Sequence, residues 1–385
     1  MGACVSRVSA SASFAALYAL DDKQILAERP FATVYSGRHL ATGVPVAIKR
    51  ICKQRRDSGV STPPGAVDTT WAMEVAAIRR CEPPPRHPNI VAFERVFESR
   101  YEVLVVMEIV SGGQLFDALI SDGAYSEWDA RRFVRDVLEA LKFLHARGVV
   151  HRDVTPENLL FTSRDSKTAT IKVVNFATAK LLSDRTTTAA ATAEQLTWPY
   201  CAPELLATID AFASRIESIR GTRAGSMAGL SPPAADGLEA SEIIAGVNAL
   251  GRNSAVQQHP PPQQQADDEA KCDVWSVGIV LYVLLSGAHP FDLDGRQTRD
   301  QIVQNILCGS FSMSSVSWDA VSGEAKELLS ALLQVDLMKR PSASEALEHA
   351  WFASPHTPRE PLSVSMSDGL GQYQRLMRKK FRMLL

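Results

Sequence analysis

Apolar residues change their period once along this chain, and that change sets the fold class. Alternation at spacing two runs through Ile25, Phe31, Val34, Val46 and Ile48, and resumes over 90–97 and 101–109, the pattern of strands with one buried face. Within this stretch, 71–81 has helical periodicity and stops before Pro83-Pro84-Pro85. From Gln114 onward helical spacing dominates, over 115–120 and again over 126–147, where Ser126 is placed to cap the helix and Gly148 to end it. The expectation is α+β: a small β-rich lobe over 18–110, then a larger α-helical lobe over 111–352.

Composition matters at three places. Between about 207 and 269 it shifts to Ala, Ser, Gly, Pro and Gln, including His259-Pro260-Pro261-Pro262-Gln263-Gln264-Gln265. Such a segment buries too little apolar surface to offset its ordering entropy, so a mostly disordered insertion is expected. A net charge of −2 provides no global basic field, which argues against nucleic acid as a partner. The six cysteines are scattered with no CxxC pair, which fits a reducing, cytoplasmic setting.

The leader, 1–17, begins Met1-Gly2-Ala3-Cys4-Val5-Ser6. Gly2 fits an N-myristoylation site and Cys4 is placed for palmitoylation. Two acyl chains anchor stably where one does not, so a membrane-associated protein on the cytosolic leaflet is the expectation, with an unmodified leader as the alternative.

Val46-Ala47-Ile48-Lys49, Glu74, His87-Pro88-Asn89-Ile90-Val91, His151-Arg152-Asp153, Asn158, Asn175-Phe176-Ala177, Ala202-Pro203-Glu204, Asp273-Val274-Trp275-Ser276 and Arg340-Pro341 stand in order. In order and spacing they resemble the motifs of protein kinases over about residues 18–352. Val280-Leu281-Tyr282-Val283-Leu284-Leu285-Ser286-Gly287, followed by Pro290-Phe291, and the ending His349-Ala350-Trp351-Phe352 resemble the calcium/calmodulin-dependent serine/threonine group. The resemblance implies the two-lobed kinase fold and phosphoryl transfer from ATP to protein Ser or Thr.

It also implies roles. Lys49, oriented by Glu74, would hold the α- and β-phosphates; Asp153 would accept the substrate hydroxyl proton; Asn158 would ligate metal. Val34, Ala47, Glu108, Val110 and Leu160 would line the nucleotide pocket. Several of the family's charges are absent. Asn175 stands where the family has the aspartate that bridges Mg²⁺ to the phosphates, and Thr155 where it has a catalytic-loop lysine. The three loop glycines fall on Ala27, Arg29 and Ala32, so the backbone loses its close approach to phosphate. Arg29 admits two readings: a guanidinium replacing lost phosphate contacts, or one folded into the cleft against Asp153 or Glu74. ATP stays a candidate ligand, with Mg²⁺ held weakly or not at all.

Two functions compete: a signalling pseudokinase that serves as scaffold or allosteric partner, and an active atypical Ser/Thr kinase acting on a protein substrate. Thr186, Thr187, Thr188 and Thr192 are candidate phosphorylation sites that Arg152 could pair with, or else part of a solvated loop. In the tail over 353–385, Leu370, Tyr373, Met377, Phe381 and Leu384 recur at helical spacing among basic residues. A basic amphipathic helix over 370–385 suits calmodulin, an anionic membrane surface, or packing on the chain's own body.

Overall fold

A computed structural model describes residues 10–29, 32–53, 70–122, 125–183, 197–207, 262–314, 318–362, 369–373 and 375–376. Five strands form the first lobe: β1 (Tyr18–Arg29), β2 (Ala32–His39), β3 (Pro45–Cys52), β4 (Phe93–Glu98) and β5 (Glu102–Glu108). They pair antiparallel in the order β1-β2-β3-β5-β4, so the β3–β5 core is flanked and β1 is an edge. Val46, Ile48, Val103, Val105 and Val106 are wholly buried there, as their alternation requires.

The first lobe starts earlier than expected. A short helix, α1 (Ala10–Ala15), carries Phe14 into a small cluster with Tyr18 and Phe97, edge-on to Phe97 at 5.4 Å. Burying that ring contributes about 2 kcal/mol, enough to fasten the end of the supposed leader to the sheet. Gly2 and Cys4 lie outside the described residues.

Helix α2 (Thr70–Cys81) brings Glu74 beneath the sheet, and the larger lobe is built on α3 (Leu115–Asp122) and α4 (Glu127–Ala146). Ser126 and Asp129 form the reciprocal capping box of α4, and Gly148 takes φ 69°, a left-handed conformation that suits glycine after a helix. Four short strands carry the loops of the cleft: β6 (Val149–Val150) pairs with β9 (Lys180–Leu181), and β7 (Leu159–Phe161) with β8 (Ile171–Val173).

The predicted insertion ends sooner than 269. Helix α5 runs Pro262–Ser286, so 262–269 continue the apolar helix that contains Trp275. Residues 208–261 lie outside the described set. Helices α6 (Arg299–Cys308), α7 (Gly323–Leu332), α8 (Ala343–Leu347) and α9 (Ala350–Ala353) complete the lobe. Nor does the lobe stop at 352: Leu362 N–H donates to Tyr125 O at 2.8 Å, Trp128 N–H to Pro358 O at 3.0 Å, and Leu362 is buried. Leu370 and Tyr373 are buried as well, so the start of the tail packs on the lobe; Met377, Phe381 and Leu384 are outside the described residues.

Candidate nucleotide and phosphoryl-transfer site

Strand register sets the upper wall of the cleft. Ala27 pairs with Val34 and Val34 with Lys49, and Ala47 lies two residues from Lys49, so these four side chains share one face. Lys49, 5% exposed, donates to Glu74 Oε1 at 2.5 Å. A cation in so dry a place needs that partner. Glu108 closes β5, but its carboxylate turns away, accepting from Ala92 N–H at 2.7 Å and pairing with Lys172 at 2.8 Å. Its backbone N–H is taken too, donating to Ala92 O at 3.0 Å. Among the described residues the Val110 N–H has no acceptor. Leu160 on β7 bridges to Gln114 and forms the lower wall.

The lower lobe fixes the catalytic loop from beneath. Asp273, fully buried, accepts from His151 N–H at 2.9 Å, Arg152 N–H at 2.7 Å and the His145 ring at 2.8 Å. Burial pushes this carboxyl up, but the bond and charge of His145 and the His151 contacts outweigh it, so its pKa falls below the ordinary value. Arg152 takes φ 62°, strained for a non-glycine residue, and is held there by these bonds and by its own donation to Thr178 O at 2.8 Å. Its second terminal nitrogen is buried with no partner among the described residues. Phe176, buried, meets His151 and Phe93 edge-on at 5.1 and 5.4 Å.

Above this brace lies an open ring of hydrogen bonds that runs from Thr197 to Lys49 through the amides of Asn158 and Asn175. Asn158 donates from Nδ2 to Asp153 O at 2.9 Å and to Asp153 Oδ2 at 2.6 Å. Its carbonyl oxygen, the atom expected to face metal, instead accepts from Arg29 at 3.1 Å and from Asn175 Nδ2 at 3.2 Å. Asn175 Oδ1 accepts from Lys49 at 3.1 Å, and Asp153 Oδ1 from Thr197 at 2.6 Å. Asn175 holds φ 65°, which asparagine tolerates, so an amide there costs the backbone little and removes one negative charge. Thr155 is buried and hydrogen-bonds the Glu157 carboxyl, whose pKa burial pushes up and which also lies near Asp153 and Arg29.

Sequence reasoning placed Lys49, Glu74, Asp153, Asn158 and Asn175 together, and they are together. Of the two readings of Arg29, the one that folds it into the cleft named Asp153 or Glu74 as partner, and the partner is Asn158. Sequence reasoning missed Thr197, whose only signal was its place just before Trp198-Pro199-Tyr200 and the Ala202-Pro203-Glu204 motif. Thr186, Thr187, Thr188 and Thr192 lie outside the described residues.

The protein kinase domain family matches residues 21–216 and 262–352. The chain belongs to that family. It is 28% identical over 357 residues to myosin light chain kinase A of Dictyostelium discoideum, covering 93% of this chain and 96% of that one. It is 32% identical over 285 residues to a calcium and calcium/calmodulin-dependent serine/threonine-protein kinase of Oryza sativa subsp. japonica, covering 74% of this chain but only 43% of the relative. With calcium/calmodulin-dependent protein kinase type 1 of Macrobrachium nipponense identity is 31% over 297 residues, 77% of this chain and 66% of that one. This is a serine/threonine kinase homologue of the calmodulin-dependent group, and the family binds ATP. The residues present fit that ligand: an apolar wall and a Val110 N–H without an acceptor among the described residues suit the adenosine, and the paired Lys49 suits its phosphates. At the two positions where the family holds Mg²⁺, the side chains are engaged with one another and with cations. One ligand position is a neutral amide already bound to Lys49, and the other points its oxygen at a guanidinium.

Proposed function

We propose that this kinase homologue does not transfer phosphate at an ordinary rate and serves instead as a signalling pseudokinase, a scaffold or allosteric partner. The observation that carries this is the Asn158 carbonyl oxygen, which two N–H donors occupy where a metal would draw on it. Phosphoryl transfer depends on positioning and on neutralising phosphate charge, and losing one such stabiliser costs about 10²- to 10³-fold. A second reading, a slow atypical Ser/Thr kinase, draws on the intact Lys49–Glu74 pair, the seated Phe176 and the retained Asp153.

Around this centre the reading has three further parts. Gly2 and Cys4 would carry the acyl groups that hold the protein on the cytosolic leaflet. Arg152, with one buried nitrogen that has no partner among the described residues, would pair with a phosphate on Thr186, Thr187, Thr188 or Thr192. The tail over 370–385 would be exchanged between its seat on the lobe and calmodulin, the partner named in two of the relatives. In that seat Tyr373 stacks on His289 at 6.0 Å and meets the Tyr200 hydroxyl at 2.6 Å.

The test is label transfer from γ-labelled ATP, as autophosphorylation and onto a basic protein, in Mg²⁺, Mn²⁺ or chelator, beside Asp153→Asn. No label above that control supports the scaffold. Label that the Asp153 change removes establishes the second reading.

A further inference from the structure

The same ring of amides identifies what this cleft is built to hold. We infer that the Arg29 guanidinium takes the place of the metal ion, and that the protein binds ADP and ATP alike without a divalent cation. Arg29 is the last residue of β1 and pairs with Ala32, so the tip of the β1–β2 hairpin brings it over the catalytic loop. There its terminal nitrogen reaches Asn158 Oδ1, an atom 129 residues away in the chain. A divalent ion would bring two positive charges to that spot. A positive Arg29 in place of glycine and a neutral Asn175 in place of aspartate change the local charge by two units in the same direction.

The remaining geometry selects the phosphate. Arg29 is an exposed side chain, and its bond to Asn158 is to a neutral oxygen, so a phosphate oxygen can displace that acceptor for a stronger, charge-assisted bond. Lys49, beside Asn175, supplies the second cation on the same side. At the γ end the described residues place none, since the catalytic-loop position is Thr155, buried and bonded to Glu157. The two cations therefore serve a diphosphate as well as a triphosphate, and the third phosphate adds little to affinity.

This rests on the proposed closure of the metal position, and the two fail differently: transferred label refutes the closure, whereas the present claim is read from binding alone. Titration calorimetry of the full chain with ATP, ADP and adenosine, in chelator and in excess Mg²⁺, supplies the reading. ATP and ADP are expected to bind within about 3-fold of each other, unchanged by Mg²⁺. Arg29→Ala should weaken both by about 10- to 100-fold, the worth of a hydrogen bond to a charged group, and leave adenosine unaffected. Arg29→Lys should recover part of the loss, since a point charge replaces the fork. Because Arg29 is exposed, neither variant threatens the fold. Tighter nucleotide binding by Arg29→Ala would show a plug and overturn the inference. Affinity that needs Mg²⁺, that ignores Arg29, or that is absent altogether would overturn it equally.

Discussion

Two arginines, Arg340 under the catalytic loop and Arg29 above it, do opposite things with their charge. Arg340 is 1% exposed and ends in a bidentate pair with Glu204, at 2.7 and 3.1 Å, with Gln334 O and Lys271 O taking its other donors. Trp275 lies 5.0 Å from its guanidinium. Arg29 is exposed, and among the described residues its hydrogen-bond acceptor is the neutral Asn158 oxygen, with the Glu157 carboxyl close enough to feel its charge. Beneath the loop, Arg340 and Asp273 are charged groups with several partners each. At the phosphate edge Lys49, Glu74 and Asp153 remain, but the neutral Asn175 and Asn158 bond to Lys49, Arg29 and each other. A chain losing its fold would have loosened both regions; here only the phosphate edge has changed.

The sharpest way to break that contrast is stability. Arg340→Ala leaves Glu204 and two buried carbonyls without their cation, and should cost about 3–5 kcal/mol. Arg29→Ala should move the urea midpoint by no more than about 0.5 kcal/mol. Equal losses from the two changes would mean that the upper ring also bears structure, and that the closed cleft is a folding device.

Much of this was legible beforehand, for a physical reason. The capping box at Ser126 and Asp129, the αL stop at Gly148 and the alternation in β3 and β5 are local, so the chain displays them within a few residues. Lys49, Glu74, Asp153 and Asn175 could be read because the kinase resemblance locates them one by one. The Arg29 bond to Asn158 could not, since nothing near Arg29 announces an acceptor 129 positions on. The same holds for Phe14 and Leu370, ordinary apolar residues whose burial depends on Phe97 and on the α-helical lobe. Where helix α5 begins was hidden by composition: Pro262-Gln263-Gln264-Gln265 looks like linker, yet it opens a helix whose apolar later turns are locked in the core.

A middle-sized effect concerns pH. The Asp273 carboxyl has its pKa lowered in the folded state, so its stabilisation is fully present above the unfolded value of about 3.9 and is lost as pH falls through the folded value. Asp273→Asn should cost about 2 kcal/mol at neutral pH and remove that part of the acid dependence. Asp136 works against it. Burial raises its pKa despite the bond from Ile171 N–H at 2.8 Å, so folding gains as pH falls from the folded toward the unfolded value. Urea titrations between neutral and acid pH should show the Asn variant with a flatter acid limb than the parent. A limb as steep as the parent's would move the acid sensitivity elsewhere and leave the catalytic-loop brace without its electrostatic role.

The smallest effect tests whether the tail belongs with the catalytic-loop brace or with the phosphate edge. Tyr200 and Tyr373 are both buried, and their hydroxyls share one hydrogen bond at 2.6 Å. Burial raises both phenol pKa values, so the pair stays neutral and its bond should not respond to pH below the ordinary phenol range. Tyr373→Phe removes one hydroxyl and leaves the ring stacked on His289, so the loss is the hydrogen bond and the desolvation of its orphaned partner, about 1 kcal/mol. Tyr200→Phe should cost about the same, and the double change hardly more than either, because the second hydroxyl has nothing left to lose. That coupling, read from unfolding midpoints, would make 370–373 a fixed member of the lobe. Additive losses, or none, would instead mark the seat as a contact readily given up, as a segment exchanged with calmodulin requires.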